Sequence, residues 1–288
     1  MSLRGSAPST SIPTSIPRRI SLAFLLTPPL AWLVVAYLGS LAVLLVSAFW
    51  STNSFTGAVV HTFTLDNVAR VMTDELFRTA AVRTLSVALA VTVICAALAM
   101  PLAFYMAKIA SPRMRLALVV AVTTPLWASY LVKAYAWRML LSPEGPLAWA
   151  TDYTPGYELT ATIVTLTYLW LPYMVIPVFA AFARVPNSLI DASADLGASQ
   201  LSTLRMVVAP LVFPGIAAGS IFTFSLSLGD YIAVTIVGGK TQLLGNIIYG
   251  QLVTANNQPL AAALSIIPLL AILAYLLAMR RTGALENI

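Results

Sequence analysis

The sequence predicts an all-α polytopic membrane protein with six transmembrane helices and both termini in the cytoplasm. Three observations lead there. Hydrophobic residues make up 59% of the 288 and charged residues only 9%, against roughly 45–50% and 25% in soluble domains. Asp, Glu, Lys and Arg are missing from six long runs, each able to hold most or all of a spanning helix of about 20 residues. The Lys and Arg between those runs fall unequally on the two sides, as the positive-inside rule requires. So few charges do not cover a water-soluble globule of this size. A soluble enzyme, a disordered regulator and a free nucleic-acid binder are therefore poor readings. The net charge of +6 is dispersed in ones, twos and threes and forms no basic patch, so no nucleic acid is expected as a partner. Cys95 is the single cysteine and lies inside an apolar run, which leaves no internal disulfide and no cysteine metal cluster.

Taken in order, residues 1–17 are rich in Ser, Thr and Pro and read as a disordered cytoplasmic tail. Residues 18–288 read as a single transmembrane domain. The first span is expected at 21–49, inside a charge-free run of 46 residues that polar Ser51-Thr52-Asn53-Ser54 interrupts. Arg18 and Arg19 precede it as in a signal peptide, but the stretch is too long for a signal core and lacks a convincing cleavage site. A short external helix is expected over Leu65 to Met72, after Thr64. Further spans are expected at 85–107, 116–140, 160–183, 207–229 and 260–279, the last after the polar stretch Thr254 to Pro259. Barrel strands would instead be short and alternating.

With the N-terminus inside, ten Lys and Arg lie on the cytoplasmic side, among them Lys108, Arg113, Arg115, Arg184 and Arg205, and six lie outside. Pro101, Pro125, Pro172, Pro177, Pro214 and Pro268 fall within spans. Each would cost about 3 kcal/mol in a soluble helix, whereas in a membrane neighbouring groups satisfy the freed carbonyl. The kinks read as bundle geometry or as a pathway lined by broken helices. No strong internal repeat is visible, so a transporter built of inverted repeats within one chain is not favoured.

The loop between spans four and five, over 186–205, departs from this pattern. Pro186, Asn187 and Ser188 signal a helix start, Gly197 a stop, and Ser199 a cap for a second short helix that leads into span five. Leu189, Ile190, Ala194 and Leu196 fall on one side of the first helix. Such an amphipathic face needs a cover. Lipid headgroups are one candidate. They suit it poorly, because the loop carries Asp191 and Asp195 and almost no Lys or Arg.

The loop resembles the cytoplasmic coupling loop of ABC importer permeases, whose pattern runs Glu-Ala-Ala, three residues, Gly, nine residues, Ile-x-Leu-Pro. Asp191, Ala192, Ser193 and Gly197 take the first part, and Val207, Ala209 and Pro210 the last, with both spacings kept. Asp191, Ser193, Val207 and Ala209 depart mildly from the family's side chains. The stretches Phe63 to Asn67, Ser129 to Trp137, Pro214 to Ser220 and Leu228 to Tyr231 are similar to the spermidine/putrescine importer permeases, and the similarity covers roughly 20–280.

This resemblance implies a type I importer fold in the bacterial inner membrane, with the loop docking in a groove of an ATPase. It also implies a second homologous permease, two ATPase subunits and a periplasmic substrate-binding protein. The implied cargo is a polyamine, with 4-aminobutyrate or another small solute as the alternative. No cofactor is implied in this chain; ATP and Mg would belong to the ATPase.

Individual residues refine the picture. Gly239-Lys240-Thr241 mimics the end of a phosphate loop, but the required earlier glycine is Val234. Gly215 and Gly219 form a Gly-x-x-x-Gly for close helix packing, with the partner permease as one candidate neighbour. Asp230 ends span five beside Tyr231, after Ser225 and Ser227. An acid at that depth marks a solute site, which aromatic faces would complete for a cation, or else it is a structural cap. Asp230, Tyr231 and Ser227 are thus the candidate pathway residues. Lys133 and Arg138, among Trp127, Tyr130, Tyr135 and Trp137, read as an interfacial belt or as a docking patch for the binding protein. His61 is the only histidine and has no clustered partner, so it reads as a solvated loop residue.

Two other classes make different demands. A secondary transporter would carry several ionisable groups within its spans, and only Asp230 comes close. A membrane enzyme would carry paired carboxylates or a His/Ser constellation, and neither is seen.

Overall fold

A computed structural model of the chain describes residues 18–53 and 56–281; the tail read at 1–17 lies outside them. The chain divides into two units, 1–46 and 47–288. In the first, α1 (Arg18–Leu33) continues through a π turn (Val34–Leu38) into α2 (Gly39–Ser47). Its 24-residue stretch Phe24–Ser47 is long and apolar enough to cross a membrane. Phe24, Trp32, Val35 and Tyr37 are each more than 70% exposed. Such a helix, apolar all round, suits lipid as its solvent.

The second unit opens with a small antiparallel hairpin, β1 (Ser51–Thr52) and β2 (Val59–Val60), pairing Ser51 with Val60. It is a minor departure from the all-α expectation. The helices α3 (Asp66–Thr73), α4 (Glu75–Phe104), α5 (Pro112–Trp127), α6 (Tyr130–Leu140) and α7 (Pro146–Thr151) come next. Then come α8 (Leu159–Arg184), α9 (Asn187–Asp195), α10 (Gln200–Thr203) and α11 (Ala209–Leu228), the last entered through a π turn (Leu204–Val208). The chain finishes with α12 (Ile232–Val237), α13 (Leu244–Tyr249) and α14 (Gln258–Arg281).

The expected external helix is α3, and Asn67 on it donates to the carbonyls of Ala48 (3.0 Å) and Trp50 (2.8 Å). The second span starts at Glu75 instead of 85, because Asp74 caps it by accepting from the Leu76 amide at 2.9 Å. Nearly three added turns, carrying Glu75, Arg78 and Arg83, thus precede the expected start.

Among the described residues five helical stretches are long and apolar enough to span, and α5 and α6, which meet at 100°, make a sixth when the pair counts as one broken span. The third span is therefore not the continuous helix expected over 116–140. Ala128 and Ser129 are extended, with ψ of 143° and 135°. Pro125 lacks the N–H that would help carry the last turn of α5 onward.

The core lies where α4, α8 and α11 pack on one another, through Val91, Cys95, Ala99, Leu166, Met174, Phe182 and Val212. Lipid tails are as apolar as leucine, so close contact holds these helices together more than removal from water does. Gly215 and Gly219 supply that contact. A Cβ on Gly215 would lie 2.5 Å from the Ala181 Cβ and 2.7 Å from the Pro177 carbonyl oxygen. One on Gly219 would lie 2.7 Å from the Met174 Sδ. The neighbour of this motif is thus α8 of the same chain.

The charge count makes a testable claim about topology. A reporter active only in the periplasm should be silent when fused after Ile288 and active near Asp152, which sits just beyond α7 at the opposite end of α8 from the 186–205 loop. The reverse pattern would overturn cytoplasmic termini.

Candidate functional site

The first candidate, the 186–205 loop, is built by a sequence of stops and starts. Pro186 disfavours the helical region for Val185 and ends α8. α9 then runs to Asp195 with Asp191, Ala192 and Asp195 exposed. Its end is a Schellman turn: the Ala198 amide donates to Ser193 O (3.1 Å) and the Gly197 amide to Ala194 O (2.9 Å). Gly197 takes φ +77°, the left-handed conformation that this turn requires. Ser199 caps α10 by accepting from the Ser202 amide at 3.3 Å. The hydroxyls of Ser193 and Thr203 pair at 2.8 Å and tie α9 to α10. Pro210 sits in the first turn of α11, directly after the π turn.

Of the apolar face expected on α9, only Ile190 packs on the core. Leu189 is 43% exposed and Leu196 87%, and Ala194 is exposed as well. Leu201 and Met206, in the segment that follows, are exposed as well. Beside α9, a groove of about 480 Å³ runs between α8 and α11, lined by Pro177, Arg184, Leu189, Pro210 and Pro214.

The second candidate lies at the other end of α11, a helix length of about 30 Å away. Asp230 is 8% exposed. Its carboxylate accepts from the Tyr130 hydroxyl and from the Ala233 amide at 2.9 Å. Both partners are neutral. The second bond caps the entry to α12, so the capping role read from the sequence is present alongside any other. Tyr130, Trp170, Ser225, Asp230 and Tyr231 line a cavity of about 290 Å³. The rings of Tyr130 and Trp170 stack 5.9 Å apart, and those of Tyr231 and Tyr249 stack 4.8 Å apart. A carboxylate among aromatic faces has the chemistry to hold an organic cation. Ser227 is not brought to this cavity; it is 1% exposed, and its hydroxyl has no hydrogen-bond partner.

The basic pair of α6 acts locally. Lys133 donates to the Pro125 carbonyl at 3.0 Å, across the corner. Arg138 donates to the Ile236 carbonyl at the end of α12 and lies 4.7 Å from the centre of the Tyr157 ring. Trp127 and Tyr135 stay exposed, as a belt would be. His61 is exposed and meets Trp50 edge-on at 4.4 Å. Gly239-Lys240-Thr241 forms a turn closed by the Thr241 amide on Gly238 O (2.9 Å). Among the described residues no group of His, Cys, Asp and Glu is placed to hold a metal.

Sequence reasoning missed the partnership of Tyr130 with Asp230 and the place of Trp170 beside them. The only available signal was Asp230 itself, an acid at the end of a span.

Comparison with known proteins places this geometry in a family. The inner membrane ABC transporter permease protein YdcU of Escherichia coli K12 is 41% identical, over 93% of this chain and 91% of that protein. The spermidine/putrescine transport system permease protein PotB of Escherichia coli K12 is 31% identical, over 82% of this chain and 88% of its own. Among solved structures, a bacterial ABC transporter involved in import of the acidic polysaccharide alginate has a TM-score of 0.73 at 18% identity, covering 92% of this chain and 96% of that one. The MetNI methionine ABC transporter has a TM-score of 0.58 at 19% identity, covering 72% and 94%. At these identities the likeness to solved structures speaks for the fold alone. No family model matches the chain. With relatives this similar over nearly the whole length, the chain belongs to the inner-membrane permease subunits of ABC importers, the group that includes the spermidine/putrescine permeases.

Proposed function

We propose that this permease forms half of the translocation pathway of an ATP-driven importer for a small organic cation of the polyamine kind. It does no covalent chemistry; ATP is hydrolysed by a separate subunit. A second homologous permease, two ATPase subunits holding ATP and Mg, and a periplasmic binding protein complete the complex. The alginate transporter, solved with a ligand-bound periplasmic protein, supports that kind of assembly. The observation that carries the coupling role is the exposed turn at Asp191–Gly197, whose acids and Leu196 stand away from the chain's own core. Alternating access then results if docking of this turn moves α8 and α11 as one packed pair.

The cationic cargo rests on the 31% identity to PotB and on Asp230 among Tyr130, Trp170 and Tyr231. An ammonium at about 4 Å from a carboxylate gains roughly 4 kcal/mol at an effective dielectric of about 20, before desolvation is subtracted. Asp230→Asn keeps the shape, and its side-chain oxygen still caps α12. We expect the complex to purify with its ATPase intact while initial putrescine uptake into proteoliposomes falls about tenfold or more. Wild-type uptake by Asp230→Asn would reduce Asp230 to a cap.

A further inference from the structure

Lys108 lies at the inner end of α4, in the π turn Tyr105–Ile109. A π turn shifts the helical phase of the residues after it, and such turns recur at functional positions. The Lys108 ammonium donates to the Val185 carbonyl at 2.5 Å and to the Asn187 Oδ1 at 3.0 Å. These two acceptors bracket Pro186, the elbow between α8 and α9. Val185 comes directly after the last turn of a 26-residue helix, where unpaired carbonyls and the dipole favour a cation. Asn187 opens α9, whose cap residue Pro186 provides no side-chain bond to the helix.

The turn that carries Lys108 is itself braced. Arg115 of α5 donates to the Met106 carbonyl at 2.9 Å and to the Ala107 carbonyl at 3.2 Å. Phe104 meets Phe182 edge-on at 5.6 Å just above. Two charged side chains, Lys108 and Arg115, thereby join these ends of α4, α5 and α8.

We infer that Lys108 is a positioning residue: it fixes the α8–α9 elbow, so that a push on the α9 turn moves α4 and α8 together instead of bending the loop. This rests on the coupling role proposed for residues 186–205, and it adds the part that passes the movement into the membrane. A hinge free at Pro186 would absorb the push. A hinge held from α4 transmits it.

The test separates the clamp from the docking. In the detergent-purified chain, hydrogen exchange of the α9 amides should quicken about tenfold in Lys108→Met, the size expected for a lost charge-assisted hydrogen bond. α14 should not change, and Lys108→Arg should restore slow exchange. Asn187→Ala should quicken α9 less and add nothing in the Lys108→Met background, since the two act as a pair. In the assembled complex, labels on Ile109→Cys and Ser199→Cys should keep one separation when ATP and vanadate trap the closed ATPase. With Lys108→Met that separation should spread. Unchanged α9 exchange, a general rise over the whole chain, or a labelled distance indifferent to Lys108 would each overturn the clamp. Failure of Ser199→Cys to cross-link to the ATPase would instead overturn the docking role and leave the exchange result standing.

Discussion

Gly197→Val is expected to break the link between ATP hydrolysis and uptake while leaving the membrane helices folded. At φ +77° an L-residue pays about 1–2 kcal/mol, and a β-branched one is least suited to that region. No neighbouring atom lies within 4 Å of a Cβ built there, so the penalty comes from the backbone itself. Relief would unwind the Schellman turn and release both of its hydrogen bonds, and the turn carrying Asp191 and Asp195 would lose its shape. Gly197→Asn is the control, because asparagine tolerates the left-handed region, and it should retain most of the function. The measurement is stimulation of ATP hydrolysis by the loaded binding protein in the reconstituted complex. Normal stimulation together with normal uptake in Gly197→Val would remove the turn from coupling.

Gly215→Ala should damage the bundle itself. Its added carbon would stand 2.7 Å from the Pro177 carbonyl oxygen, a backbone atom that does not rotate away. Overpacking of this kind costs about 1–3 kcal/mol, so the thermal midpoint of the detergent-purified chain should fall by about 5 °C. Gly250→Ala is the matched control, since a Cβ there meets nothing within 4 Å; it should leave the midpoint unchanged or raise it slightly. Equal midpoints for the two variants would mean that α8 and α11 do not need this close approach.

Much of the fold is legible in the charge-free runs, because a spanning helix must be apolar over a fixed length. The ends of α8 and α14 fall within two residues of expectation. The broken third span is not legible. Residues 116–132 carry no charge whether the helix runs straight or turns at Ala128 and Ser129. The corner is held by Lys133 on Pro125 and by α12 against α6, which are contacts and not composition.

The 186–205 loop is readable for the opposite reason. Pro186, Gly197 and Ser199 act on their own backbone, so their spacing already dictates helix, stop and cap. The pocket at Asp230 joins Tyr130 of α6, Trp170 of α8 and Asp230 between α11 and α12, and no local rule links them. Asp230 alone stood out, since a buried acid is costly wherever its partners come from. The neighbour of Gly215 and Gly219 was undetermined for the same reason: a pair of glycines announces a close approach without saying to what.

The corner between α5 and α6 bears on how the chain is made. With 16 and 11 residues, these limbs measure about 24 and 16 Å at 1.5 Å per residue, and neither alone crosses a hydrocarbon layer of about 30 Å. During biosynthesis the segment leaves the ribosome long before Ile232–Val237, the helix against which α6 packs. Until that helix arrives, α6 lacks the partner against which Ala134 and Trp137 pack. We therefore expect α6 to take its final angle to α5 only once α12 has been made. Truncations that end before Ile232 should leave α6 open to membrane proteases, whereas α4, a full span capped by Asp74, should already be secure.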